Sequence, residues 1–473
     1  MRLQQVRRLL DAVGAPDRQM RIVHVAGTKG KGSTSAMIAS VLEASGYRTG
    51  LYTSPHLDHV EERMLVDRHP CIPTQFVDLI ESVRAGVTAI DAAGGTGNPT
   101  DRPTSRRSRR GPTYFDITTA MALLHFARSG VDIAVLEVGM GGRLDSTNAC
   151  LPCVSVITSI SRDHTRQLGN TLAAIAREKA GIIKPQVPVV SGVRAASPQR
   201  VIHETASRSG CRLAQLGREV LFRYVPPEHV ERAAVDARVD IDYVGHPPCR
   251  FTDLRLRLLG RHQAANAATA VATVVELRKQ GIVIPDAAVR RGLIGTRLPA
   301  RAEVLGRRPA VLLDAAHNRA SAAALADLLD ESFDVAKRIL VFASTRDKDV
   351  PGMLGVLLPR VDTVIFTRYQ ANPRAMDPPE LLRLAEAFPG PACLVREHPL
   401  DAWHTAYAMA APDHLIVVCG SFFLAAELRA TIRSCARRGA ADRKTAHATP
   451  PGPSGDKPVA TTEPDPGTQW RWR

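Results

Sequence analysis

Apolar runs too short to be anything but buried strands alternate along this chain with longer stretches whose apolar positions recur at helical spacing. From Arg21 the run "RIVHVA" precedes "STSAMIASVLEASG", which keeps the helical period and ends on glycine. The alternation continues through "TGLYTS", a helical stretch around Phe76 to Val87, the helix "YFDITTAMALLHFARSG", the strands "DIAVLEVG" and "VSVITSI", the helix "TLAAIAREKAGII" and the strand "VPVVSG". Such a series predicts an α/β fold with a mostly parallel sheet covered on both faces. Between about Leu221 and Leu259, shorter alternating runs such as "RVDIDYV" and "LRLRLL" predict a small antiparallel patch.

From Pro309 a second series begins, in which "AVLLDAA", "RILVFAS", "DTVIFT", "ACLVRE" and "HLIVVCG" are each followed by a helical pattern. This predicts a second, doubly wound Rossmann-like unit. Gly and Pro interrupt the patterns at "GTRLPARAEV", so the units are expected to span 1–297 and 298–436. Two segments fit neither. The stretch at about 91–112 is Gly, Pro, Ser and Arg throughout and reads as a flexible basic insert, and 437–473 has too few apolar residues to fold and reads as a disordered tail.

A chain of 473 residues is long enough for two cores. Lys and Arg number 62 against 47 Asp and Glu, and the resulting +15 favours anionic partners. Part of that excess lies in the insert and the tail, with no aromatic platform or reading module beside it, so nucleic acid is not expected as a partner. The N-terminal "MRLQQVRRLLDAVGA" lacks the apolar core of a secretory signal, and no apolar segment is long enough to span a bilayer. A cytoplasmic protein is expected. Cys150 and Cys153 form the one close cysteine pair, without a second pair to complete a zinc site.

The first strand runs into "HVAGTKGKGSTSAM". Gly27, Thr28, Lys29, Gly30, Lys31, Gly32, Ser33 and Thr34 thus lie between a strand and a helix, where converging N–H groups, the helix dipole and a mobile cation hold nucleotide phosphates and a hydroxyl is available for a metal. The spacing departs from the common G-x-x-x-x-G-K-[ST] form because Gly32 separates Lys31 from Ser33.

With that departure, "GTKGKGS", "YTSPHL", "EERM", "YFDITTAMA", "LEVGMGGRLDSTN", "ITSISRDHTRQLGNTLAAIAREKAGIIKP", "LGRHQAANAATAV", "LPARAEV" and "LDAAHN", from about Arg21 to about Leu428, resemble the folylpolyglutamate synthase and dihydrofolate synthase family, relatives of the Mur ligases. The resemblance implies ATP as cofactor and two Mg2+ ions, held by Ser33, Ser54, Glu137 and His164, with Lys179 carbamylated and acting as a further metal ligand. It implies that Asn266 contacts the base and that Arg301, Asp314 and His317 reach across from the second unit. Plainer readings stand beside these. Ser54 can cap a turn, Glu137 can pair with an arginine, His164 beside Asp163 can be a loop hydrogen bond, Lys179 can pair with Glu178, Asn266 can make a local helix-face bond, and Asp314 can be a helix N-cap. Two departures appear, Ala300 where the family usually has Gly and Arg319 where it usually has Pro.

The activity implied is ligation of L-glutamate to dihydropteroate, to a tetrahydrofolate tail, or to both, through an acyl phosphate. Lys31, magnesium and Arg301 would stabilise the transferring group, and Asp314 and His317 would orient phosphate or amine, by a monomer. "PTYFDITTAMA", with Asp116 where many relatives carry Glu, resembles the pterin side. The alternatives are another Mur-type amide ligase, or a nucleotide- or nucleic-acid-binding protein without ligase activity.

Overall fold

The structure is a computed structural model that describes residues 2–94, 111–163 and 165–446. The first sheet contains β1 (Arg21–Ala26), β2 (Thr49–Tyr52), β3 (Met64–Val66), β4 (His69–Pro70), β5 (Ile133–Glu137), β6 (Val154–Ile157), β7 (Val189–Ser191) and β8 (Leu213–Gln215), in the spatial order β4-β3-β2-β5-β1-β6-β7-β8. From β2 to β8 every pairing is parallel, and β3 and β4 extend the edge antiparallel. β1 and β5 are therefore central, and Val25 of β1 lies in register with Glu137 at the end of β5.

Alternation along β1 explains why both faces must be covered. Val23 and Val25 pack with Met37 and Val41 of the helix Lys31–Ala44, whereas Ile22 packs with Leu9, Leu123 and Phe126 on the opposite face. The predicted antiparallel patch is a separate sheet of β9 (Val220–Val225), β10 (Ala237–Tyr243) and β11 (Cys249–Leu256), in the order β11-β10-β9. Its inward residues Val239, Ile241 and Leu254 join the first of those cores.

The second unit has β12 (Glu303–Arg307), β13 (Ala310–Leu313), β14 (Arg338–Phe342), β15 (Thr363–Phe366), β16 (Ala392–Val395) and β17 (Leu415–Cys419), ordered β12-β13-β17-β14-β15-β16. All pairings are parallel except that of β12 with β13. Leu312 faces one core with Leu325 and Phe342, while Val311 and Leu313 face the other with Trp403 and Leu428.

Three details differ from expectation. β3, β4, β8 and β12 are short edge or near-edge strands whose few apolar residues carry little periodic signal. The helix Pro73–Gly94 runs into the segment expected to be an insert, of which 95–110 lie outside the described residues. The last helix, Phe422–Ala446, corrects the expected start of the disordered tail at 437. Ala, Arg and Lys in "RRGAADRKTA" are strong helix formers and extend a helix already anchored by Leu424 and Leu428. The remainder of the tail, 447–473, lies outside the described residues.

Candidate functional site

The carboxyl edges of the two parallel sheets border one cleft of about 900 Å³. The first unit lines it with the loop Thr28–Ser33, Ser54, Glu137, His262 and Asn266, and the second with Arg301, Asp314, His317 and the helix face of Ala324 and Leu328. Open α/β sheets gather ligands at this edge because helix N-termini and strand-end side chains converge there.

The loop after β1 is bound tightly to the strand end beside it. Thr28 N–H donates to Ser159 O at 2.7 Å, Lys29 N–H donates to Ser159 Oγ at 3.0 Å, and Lys29 O accepts from Thr158 Oγ1 at 2.7 Å. Gly27 leaves room for Thr158, since a Cβ there would stand 1.9 Å from the Thr158 Oγ1. Gly30 is needed twice over. It has φ 80°, in the left-handed region, and a Cβ would lie 2.2 Å from Asn266 Oδ1. As N-cap of the helix Lys31–Ala44 it gives no side chain to the first turn. Thr34 N–H donates to Gly30 O, and Ser33 is buried at the cleft wall.

Glu137 is buried, with Oε1 3.6 Å from Lys31 Nζ and Oε2 accepting from Ser54 N–H at 3.2 Å. Burial raises its carboxyl above the ordinary range, while Lys31, the Ser54 N–H and Arg301 pull the other way. Its partner is thus a lysine of the loop and not an arginine. A buried carboxylate between these groups suits a hard divalent cation. Lys179 is also buried and donates from Nζ to Gly27 O at 2.7 Å, while Glu178 pairs instead with Arg143 at 2.9 Å. Burial, and then the Lys31 charge, bring the Lys179 ammonium down to about 7. An ammonium cannot ligate a cation, but the neutral amine that this shift favours is the form that reacts with CO2. Among the described residues no group of three His, Cys, Asp or Glu stands assembled for a metal. His164 lies outside the described residues.

Asn266, on the helix Arg261–Arg278, donates to Gln263 Oε1 at 3.0 Å and rests against Gly30, so the helix expected at the base and the loop expected at the phosphates touch. Asp314 follows β13 and is not an N-cap. Its Oδ2 accepts from Ala302 N–H and its Oδ1 from Ala316 N–H, both at 2.7 Å, while Asn318 caps the helix Arg319–Ser332. His317 Nδ1–H donates to Ala315 O at 2.9 Å, leaving Nε2 to accept from Lys29 Nζ at 3.0 Å, a tautomer assigned from this network. Burial, and then Lys29, push His317 down to about 3. Arg319 is exposed.

Lys29, expected among the nucleotide-binding residues, therefore bridges the units. Its Nζ also meets Asp163 Oδ2 at 2.9 Å, and Lys348 of the second unit approaches Asp163 Oδ1 at 3.4 Å. The sequence reading named Asp163 only as a neighbour of His164 and assigned no part to Lys348; the only signal of either is charge in a loop. It also passed over Asp145, which is buried and accepts from Met140 N–H at 2.9 Å and Thr147 Oγ1 at 2.6 Å beside the cleft. Asp116 is N3 of the capping box opened by Thr113 and accepts from Ser146 Oγ at 2.5 Å. Among the described residues no disulfide joins any of the eight cysteines, Cys150 and Cys153 included.

A family model described as the Mur ligase middle domain matches residues 88–274, and one described as the Mur ligase glutamate ligase domain matches residues 300–422. The chain is 37% identical over 431 residues to a probable bifunctional folylpolyglutamate synthase/dihydropteroate synthase of Haloferax volcanii, covering 90% of this chain and 48% of the other, so it spans about half the length of that relative. It is 32% identical over 437 residues to the dihydrofolate synthase/folylpolyglutamate synthase of Bacillus subtilis, covering 91% of this chain and 95% of the other. The Mycobacterium tuberculosis folylpolyglutamate synthase complexed with ADP superposes with a TM-score of 0.81 at 33% identity, covering 91% and 94% of the two chains. A bifunctional folylpolyglutamate synthase/dihydrofolate synthase from Yersinia pestis, complexed with AMPPNP and a manganese ion, gives 0.75 at 29% identity and 91% and 93% coverage.

Proposed function

The chain belongs to the dihydrofolate synthase/folylpolyglutamate synthase family of the Mur ligase superfamily, and on that premise we propose that it joins L-glutamate to a pteroyl acceptor, dihydropteroate or a tetrahydrofolate tail, at the expense of ATP. The observation that carries the reading is the convergence of the loop Thr28–Ser33 and Glu137 with Arg301 and His317 in one cleft built from two units.

A carboxylate resists attack by an amine because its carbonyl carbon is electron-rich and its leaving group would be oxide. Moving the γ-phosphoryl group of ATP onto it gives an acyl phosphate and ADP, after which the neutral amine of glutamate attacks the acyl carbon, the C–O bond to phosphate breaks, and the proton lost from nitrogen leaves with the departing phosphate. Little covalent work falls to the protein, so positioning and charge neutralisation dominate. The N–H groups at the start of the helix Lys31–Ala44 carry no side-chain cap and would take the triphosphate, with Lys31 neutralising its terminal end and Asn266 on the base side. Arg301 approaches the transferring group from the second unit. His317, neutral and with Nε2 accepting from Lys29, would orient the phosphate or the incoming amine once Lys29 turns to the phosphates, and Asp314 acts through the turn that it pins.

We infer two magnesium ions, which Ser33, Ser54, Glu137, His164 and a carbamylated Lys179 would hold and which would supply charge neutralisation on the phosphates. The protein would act as a monomer in the cytoplasm; among the described residues no helix is long and apolar enough to cross a membrane. The test is ADP release with glutamate and, in turn, dihydropteroate, tetrahydrofolate and a muramyl substrate. Release with a pteroyl acceptor alone supports the proposal, and release with none of the three overturns it.

A further inference from the structure

Arg301 sits between two residues in an unfavourable backbone conformation. Ala300 has φ 53° and Ala302 has φ 48°, and the two residues are 0% and 5% exposed. L residues other than glycine enter this left-handed region against a steric clash of Cβ, and two of them flanking one residue require compensation from elsewhere.

Two carboxylates supply it. Ala300 N–H donates to Glu303 Oε2 at 2.9 Å and Ala302 N–H donates to Asp314 Oδ2 at 2.7 Å, while Ala300 O accepts from Ala315 N–H at 2.9 Å. Asp314 is fixed in turn by Ala316 N–H. Glu303 is fixed from the last helix, where Arg429 donates through Nε at 2.8 Å and Nη2 at 2.9 Å. A two-pronged pair of this kind sets the plane of the carboxylate as well as its place. The pair is largely shielded, with 16% and 19% of the side chains exposed. Glu303 is also the first residue of β12, in register with Leu313, so the clamp and the strand ladder share one anchor. Neither Glu303 nor Arg429 lines the cleft. Arg301 does, and its charge is felt by Glu137 across the cleft and by Asp314 and His317 on its own side.

We propose that Glu303 and Arg429 are positioning residues that, together with Asp314, hold the strained Ala300–Ala302 turn so that Arg301 reaches the transferring phosphoryl group. The proposal rests on the ligase reading above. Glycine at position 300 would adopt the same turn without the clash, so its presence would lessen the need for the clamp.

The experiment measures glutamate-dependent ADP release, ADP affinity, thermal midpoint and hydrogen exchange at the Ala300 and Ala302 amides. The proteins compared are the wild type, Glu303→Ala, Glu303→Gln, Arg429→Lys and the double variant Ala300→Gly/Glu303→Ala. Glu303→Ala is expected to lower kcat by about 10- to 100-fold, the scale on which a misplaced group slows phosphoryl transfer, with the KM for ATP changed by less than about threefold. Amide exchange accelerates, Glu303→Gln and Arg429→Lys fall between, and the double variant regains about tenfold of the loss. Glu303→Gln keeps an acceptor for Ala300 N–H and guards against a failure to fold. A kcat for Glu303→Ala within about twofold of wild type, unaltered exchange, or no recovery on adding Ala300→Gly would each overturn the proposal. An inactive wild type whose Glu303→Ala variant still shows accelerated exchange would count against the ligase reading and leave the clamp standing.

Discussion

The two sheet edges that meet at the cleft present opposite kinds of helix start. After β1 the helix Lys31–Ala44 begins at Gly30, with no side chain on its first-turn N–H groups. After β13 the helix Arg319–Ser332 begins at Asn318, whose side chain accepts from Ser321 N–H in a capping box, and the N–H groups of Ala302 and Ala316 nearby are taken by Asp314. The first edge leaves its donors for an anion, while the second has used its donors internally and offers side chains, Arg301 and His317. One fold class thus yields a main-chain cradle in one copy and a side-chain clamp in the other, and capping chemistry makes the difference.

Removing the cation of the cradle is the hardest blow to this contrast. Lys31→Ala is expected to lower acceptor-dependent ADP release by about 10³-fold, the scale of losing a principal charge stabiliser, and an unchanged rate would break the assignment. Gly30→Ala comes next: the left-handed φ costs about 1–2 kcal/mol and the new methyl meets Asn266, so ADP affinity measured by calorimetry should drop by about 10- to 100-fold.

A pH titration of stability is smaller and tests the interior behind the cradle. His24 on β1 is wholly buried, with Nε2 2.8 Å from Thr147 Oγ1, and burial, then Lys184, lowers it from 6.5 to about 3. The unfolded chain binds the extra proton and the native state does not. Stability is therefore complete above about pH 6.5 and falls by at most about 1.4 kcal/mol per pH unit on acidification toward pH 3. Thermal midpoints from about pH 7 to pH 5 should fall less in a folded His24→Gln variant, and an equal fall would assign the loss to other groups. The smallest effect is expected at the capped edge, where Asn318→Ala should cost about 1 kcal/mol in denaturant unfolding while ADP affinity stays within about twofold, because that cap faces its own helix and not a ligand.

How far the sequence could be read differs by element. The central strands were legible because burial on both faces demands unbroken apolar runs, as in "IAVLE" and "LIVVC". β12 was not, since "EVLGR" is half-buried throughout and is held by pairing with β13. Within the site, the glycine loop declared itself because its conformation depends on residues lacking Cβ. Lys29 was read as a nucleotide contact, and its partners Asp163 and His317 became visible only when loops distant in the chain were brought together. Asp314 was legible as a polar residue at a strand end, but not as the acceptor that pins Ala302.

Periodicity and glycine placement by themselves determined two wound α/β units, the antiparallel patch and a loop shaped for phosphate, because these follow from local sterics and from the burial each element must find. Tertiary structure alone decided which donors stay unused, which lysine pairs with Glu137, and that a carboxylate and an arginine from the last helix hold the turn carrying Arg301. Those are contacts between segments far apart in the chain, whose formation depends on how the sheets and helices pack and leaves no periodic trace in the residues that make them.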